Sequence, residues 1–203
     1  MNDFEIKNLI FDLGGVIILS EDVDFSEFDD KFSLPEGSTE KVVRSCFEKE
    51  EIIEDFDVRE YLKENFSHLI SFEEYNEVIN AIYRNEKMNK ELVNWIERKK
   101  DNYTISLLTN NTSSLDKVLK EKFQIEYLFD FIFNSADIGM VKPNPEIYKH
   151  ALEKTKTEPK NCLFVDDSER NVKAAKKLGI KAVLFQNNND FFDKINRLIN
   201  QEL

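Results

Sequence analysis

The chain has 203 residues, room for one large domain or for a core domain with a smaller insert. A hydrophobic fraction of 41% with 17 Phe supports a substantial core and excludes a disordered tail. The net charge of −12 argues against a general affinity for DNA, RNA or anionic membranes.

In chain order, residues 6–11, IKNLIF, read as a first strand ending at Asp12. The rhythm then breaks. STEKVVRSCFEKE, DVREYLKENF and SFEEYNEVINAIYRN all carry apolar residues at helical spacing, with Ser38 and Ser71 as helix starts and no convincing strand between them. Residues 20–85 therefore predict a small helical insert. The segment 89–100, NKELVNWIERKK, predicts the helix that returns to the sheet, with Leu92, Val93 and Ile96 facing it. Strands are expected at 103–108, 130–134, 161–165 and 181–185, short apolar runs suited to a parallel sheet covered on both faces. Between them lie helices at 113–122, at 145–155 with Pro145 in the first turn, and at 168–178 with Ser168 as N-cap and Gly179 past the end. A last helix is expected around 191–201. The pattern predicts an α/β fold, a Rossmann-like parallel sheet flanked by helices with a small all-helical insert. Its core would comprise residues 1–19 and 86–203.

Polar residues gather at the predicted strand exits, where open parallel sheets bind their ligands. Asp12 follows the first strand, Thr109 and Asn110 the second, Lys142 lies beyond the third, and Asp166 and Asp167 end the fourth. Carboxylates brought that close repel unless a cation lies between them. Magnesium is the natural choice, because it takes hard oxygen ligands and is usually shared with substrate phosphate. The two histidines, His68 and His150, sit beside none of these residues, and with two distant cysteines they make a poor zinc set.

The motifs FDLGGV, LLTN, VKPNPEIY and FVDDSERN, in that order, resemble the four motifs of the haloacid dehalogenase-like hydrolases, and the resemblance covers nearly the whole chain. It is nearest to the small sugar-phosphate phosphatases of that superfamily that begin FDLG. The resemblance implies that the insert at 20–85 is a type-one cap over the crevice. It implies Asp12 as the nucleophile that becomes an aspartyl phosphate, and Thr109 with the Asn110 backbone N–H as binders of a phosphate oxygen. Lys142 would neutralise Asp12 and the transferring group. Magnesium would be held by Asp12, the Gly14 carbonyl and Asp167, with Asp166 as a further ligand or as the residue that orients the others, and with Asn171 behind them.

Gly14 departs from the family pattern. Most phosphatases of the superfamily carry a second Asp there, whose side chain protonates the leaving oxygen and later activates water. Glycine keeps the carbonyl and the turn but cannot do acid–base work, which is typically worth ~10²–10⁴-fold. Three explanations stay open: a leaving group that needs little protonation, a proton from another group, or a weak or retired enzyme that binds phosphate-bearing ligands. A dehalogenase also lacks that Asp but needs no magnesium, so the Asp166–Asp167 pair favours the phosphatase branch. The expected partner is a small phosphorylated substrate, with no nucleic acid and no membrane. No oligomeric state follows from the residues. Arg44 and Arg84 are the insert cations to inspect for a second anionic group. No run approaches the ~18 apolar residues of a membrane span, and no basic-then-apolar leader opens the chain. With Cys46 and Cys162 outside any C-x-x-C, a reduced, cytoplasmic setting is expected.

Overall fold

The computed structural model describes residues 5–20, 23–50 and 56–200. β1 (Asn8–Phe11) is the centre of a five-stranded parallel sheet. The chain leaves it through β2 (Ile18–Ser20) and enters four helices: α1 (Phe25–Phe32), α2 (Ser38–Glu50), α3 (Val58–Asn65) and α4 (Phe72–Asn85). It returns by β3 (Glu86–Met88) and α5 (Lys90–Glu97) to β4 (Thr104–Thr109). Then follow α6 (Leu115–Lys117), β5 (Phe131–Asn134), α7 (Ser135–Ile138), α8 (Pro145–Thr155), β6 (Cys162–Asp166), α9 (Glu169–Lys177), β7 (Lys181–Leu184) and α10 (Asn188–Asn200). The sheet order is β5-β4-β1-β6-β7. The chain runs outward on one side of β1 and then crosses back to the other, so the order reverses at β1. That is the switch point where ligands bind in such sheets.

Alternation along the strands builds two apolar layers. Leu9 and Phe11 of β1, Ile105 and Leu107 of β4, and Leu163 and Val165 of β6 pack with α5 and α10 through Leu92, Ile96 and Phe191. Ile10, Leu108 and Phe164 point the other way, onto Ile147 and Tyr148 of α8 and Ala175 of α9. A third cluster joins the helices of the insert through Val42, Val43, Cys46, Leu62, Tyr75 and Val78. Cys46 and Cys162 are both buried, and burial pushes their thiols up to about 11 and about 12.

Several local features differ from the sequence expectation. β2 and β3 form a two-stranded antiparallel ribbon that pins together the two ends of the insert, where no strand was expected. Three residues per strand are too few to show a period of two. α1 is a further unexpected helix; its signal is Phe25, Phe28 and Phe32 behind an Asp24 cap whose carboxylate accepts from Ser26 N–H. Ser71 does form a full capping box with Glu74. At the start of α2 the capping role falls instead to Asp29, which accepts from the N–H groups of Gly37 and Thr39 and from the Thr39 hydroxyl. The helix expected at 113–122 is one α turn that widens into a π turn at Val118–Lys122. No helix among the described residues is long and apolar enough to cross a membrane.

Candidate active site

β1 ends in a buried carboxylate because its neighbours hold it there. Asp12 N–H continues the ladder to the Val165 carbonyl at 2.9 Å, and one Asp12 carboxylate oxygen accepts from Leu13 N–H at 2.7 Å. The chain then folds tightly on itself: the Leu13 carbonyl accepts from Ile17 and Ile18 N–H, and Gly15 N–H donates to the Ile18 carbonyl. Asn89, which caps α5 as the chain returns from the insert, closes this turn by donating its backbone N–H to the Ile17 carbonyl and its side-chain amide to that of Val16.

Lys142 is 2% exposed, so its ammonium must find its partners inside the protein. It has two: Asp12 Oδ2 at 2.9 Å and Asp166 Oδ2 at 2.7 Å. Burial works against its charge, but the two carboxylates outweigh burial and raise its pKa. The Lys142 backbone is fixed from β4. Lys142 N–H donates to Asn110 Oδ1 at 2.8 Å, and the Asn110 amide donates back to the Lys142 carbonyl at 3.0 Å. Asn110 thus orients the lysine by a reciprocal pair of bonds. Thr109, the last residue of β4, is buried and level with Asn134 of β5.

Asp166 ends β6 with its carboxylate enclosed by donors. Ser168 N–H reaches Oδ1 at 2.8 Å, and the Asn171 amide reaches both oxygens at 3.1 Å. Ser168 therefore occupies the N-cap of α9 without making the expected side-chain cap bond. Asn171 is held in turn by Tyr148, whose hydroxyl donates to its carbonyl, and its Oδ1 is a buried acceptor with no partner among the described residues. Asp167 points outward. One carboxylate oxygen from each of Asp12, Asp166 and Asp167 lies within 4.8 Å of the others.

The charges do not balance. With all three carboxylates ionised, one ammonium would leave two negative charges over. Burial, and next the Asp166 charge, raise Asp12 to about 7 against the opposing pull of Lys142. Burial and Asp166 also raise Asp167. A surplus of two negative charges on a compact set of hard oxygens suits a divalent cation such as magnesium.

The glycine pair divides its roles differently from the sequence expectation. The turn is held by Gly15, not Gly14: Gly15 has φ +69°, and a Cβ there would sit 2.1 Å from Asp167 Oδ2. Gly14 is exposed, lies outside the left-handed region, and would offer a Cβ open space. The doubled glycine was the signal for the close approach to Asp167. The two insert cations, Arg44 and Arg84, have other partners or surroundings than Asp12. Arg44 pairs with Glu40 along the exposed face of α2, and Arg84 lines an outer cleft with Lys117.

Beside Asp12, between the sheet and the insert, is a cavity of about 160 Å³ reached by Leu13, Gly14 and Asn110 from the sheet side and by Phe47 and Ile82 from the insert. Sequence reasoning missed Phe47 and Ile82, because helical spacing does not distinguish an apolar residue facing a crevice from one facing a core.

Residues 9–185 match the family described as haloacid dehalogenase-like hydrolase. The chain is 33% identical over 90 residues to bifunctional epoxide hydrolase 2 of Rattus norvegicus, a match covering 42% of this chain. The segments matched in the rat, mouse and pig forms are only 16%, 17% and 20% of those proteins. A phosphorylated carbohydrates phosphatase of Thermotoga maritima is 24% identical over 187 residues, 88% of this chain and 84% of that one. Among solved structures, a Bacteroides thetaiotaomicron enzyme of this family, in complex with magnesium and inorganic phosphate, superposes with a TM-score of 0.73. It is 26% identical, over 89% of this chain and 94% of that one.

Proposed function

The chain belongs to the haloacid dehalogenase-like hydrolases, and on that premise we propose that it is a magnesium-dependent phosphatase of a small phosphorylated metabolite, acting through an aspartyl phosphate on Asp12. The observation that carries this reading is the buried Lys142 bridging Asp12 and Asp166 beside Asp167, a site with two negative charges to spare. The magnesium and phosphate in the Bacteroides relative support the same chemistry. A dehalogenase reaction, which needs no cation, would leave that surplus unexplained.

In this reading Asp12, the Gly14 carbonyl and Asp167 hold magnesium. Asp166 completes the acidic set and, with every oxygen already receiving donors, chiefly orients Lys142. The metal supplies charge neutralisation on the phosphoryl oxygens. The Asp12 carboxylate attacks phosphorus, the ester P–O bond breaks, and the departing oxygen leaves with that bonding pair and takes its proton from water. Lys142, the Thr109 hydroxyl and the Asn110 N–H stabilise the charge on the transferring group. Water then attacks phosphorus, the acyl-phosphate bond breaks, and inorganic phosphate leaves with the Asp12 carboxylate restored. Residues 20–85 form the cap and the remainder the core. The two buried thiols suit a reduced, cytoplasmic setting.

Turnover of an aryl phosphate with magnesium and with excess chelator tests the proposal. Activity should require the metal and should vanish in Asp12→Asn, an amide that keeps the shape but is a poor nucleophile. Full activity in chelator, or in an Asp12→Asn protein shown by mass spectrometry to be free of deamidation, would remove this mechanism.

A further inference from the structure

The crevice beside the nucleophile has a chemistry of its own. From the cap side it is bounded by Phe47 of α2 and Ile82 of α4, and from the core side by Leu13 and Val118. Phe47 and Ile82 are partly buried members at the edge of the cap's apolar cluster, so part of each faces the crevice. Covering such surface is worth roughly 25 cal/mol per Å². Most polar groups of the lining are already engaged. Asn110 is spent at both ends on the Lys142 backbone, Asn111 Oδ1 accepts from Thr112 N–H, and the Thr112 hydroxyl pairs with that of Ser114. The single ionisable lining group is Glu86, whose carboxylate pairs with Lys122 at 2.5 Å. No cation lines the crevice among the described residues. Arg84 and Lys117 belong to a separate, more open cleft that meets the crevice only at Val118.

A sugar hydroxyl placed here would lose water and find few free partners, which weakens its binding. A second phosphate would meet an acid. An apolar group would cover Phe47 and Ile82 without such losses. The cavity, about 160 Å³, is close to the ~150 Å³ of an apolar cavity that takes up benzene.

We propose that the leaving group is uncharged, apolar and about one ring in size, so that the substrate is the phosphate monoester of a small apolar alcohol or phenol, with Phe47 and Ile82 determining that preference. This rests on the phosphatase reading. The chemical step is unchanged: the ester P–O bond breaks, Asp12 gains the phosphoryl group, and the leaving oxygen takes a proton from water.

The test compares benzyl phosphate with glucose 6-phosphate on the magnesium-loaded protein. Both are esters of primary alcohols, so the comparison isolates the crevice from the chemistry of the departing oxygen. Benzyl phosphate should have the higher kcat/KM by at least about tenfold, the low end of what an apolar contact contributes to discrimination. Ile82→Asn and Phe47→Ser, checked for folding by thermal melt, should raise KM for benzyl phosphate several-fold while inhibition by inorganic phosphate stays as in wild type. Glucose 6-phosphate turned over as well as benzyl phosphate, or an unchanged KM in both folded variants, would overturn the proposal. Binding of benzylphosphonate against 2,3-dihydroxypropylphosphonate, read by calorimetry, repeats the comparison without turnover. Tighter binding of the benzyl compound supports the crevice assignment, and equal binding rejects it. Absence of turnover on every ester, with the phosphonate preference intact, would remove the phosphatase reading alone.

Discussion

Replacing Gly15 by Ala separates the roles of Gly14 and Gly15, just after Asp12. At φ +69° an L side chain costs about 1–2 kcal/mol. The new Cβ would also fall 2.1 Å from Oδ2 and 2.5 Å from Cγ of Asp167. Those atoms are the free end of a side chain, so the overlap is relieved by swinging the carboxylate away, and β1 stays in place. At roughly 2–4 °C per kcal/mol for a chain of this size, the melting temperature should fall by about 2–8 °C. The larger effect falls on the metal. Displacing a proposed ligand should weaken magnesium binding by at least about tenfold, the low end of what misplaced supporting groups do at metal sites. Gly14→Ala is the control, because no atom lies within 4 Å of its Cβ and its φ is outside the left-handed region. It should leave the melting temperature unchanged or raise it slightly through a less flexible unfolded chain. Calorimetric melting of both variants and a magnesium titration of each decide the matter. Equal losses in the two proteins, or wild-type magnesium affinity in Gly15→Ala, would refute the assignment of the close approach to Gly15.

Lys142→Met leaves Asp12 and Asp166 buried without their shared ammonium, and should cost about 3–5 kcal/mol in thermal or urea unfolding. At Asp29, burial pushes the pKa up but the bonds from Thr39 and Gly37 outweigh it and lower the net value. Its stabilisation is therefore complete above the unfolded value of about 4 and is lost as pH falls through the lower folded value. Asp29→Ala should be less stable by about 1–3 kcal/mol at pH 7, and the gap should close as urea titrations move toward pH 2. Gly14→Asp should raise kcat/KM for alkyl phosphates more than for aryl phosphates, since position 14 has room for the side chain. An unchanged alkyl-to-aryl ratio in a folded, metal-binding protein would mean that another group already supplies the proton.

The sheet was legible because its signals are local. Each strand is a short apolar run with a polar residue at its carboxyl end, so the order of residues alone puts Asp12, Thr109 and Asp166 on the same edge of the sheet, where all three are buried. Lys142 was legible as a residue but not as the hub of two ion pairs, because it is joined to Asp12 and Asp166 across gaps of 130 and 24 residues and is oriented by Asn110. The β2–β3 ribbon was invisible for a related reason. Its strands are short, and what makes them strands is each other, across an insert of more than sixty residues. Asn89 read as an ordinary helix start; its second role, closing the turn after Asp12, depends on the chain returning from the insert at that point. Arg44 and Arg84 show the converse. A cation in a helix of the insert says nothing about its direction, and here one is tied to Glu40 and the other lines a separate cleft.

The glycine at position 14 and the apolar crevice constrain the reaction in the same direction. An acid at position 14 would serve a leaving group that departs as an unstable alkoxide, and such groups are most often polar alcohols that need partners in the site. Here the acid is missing, and free partners are few: Asn110 is committed to Lys142, the Thr112 hydroxyl to Ser114 and one Glu86 oxygen to Lys122. Phe47 and Ile82 line the crevice with apolar surface, which in the proposed reaction would leave a departing oxygen with little solvation. A leaving group that delocalises its own charge, such as a phenolate, suffers least from both deficits. Restoring the acid and opening the crevice should therefore reinforce each other. Gly14→Asp combined with Ile82→Asn should widen the range of alkyl esters accepted more than the two single changes together, a coupling that residues without a shared substrate group would not show.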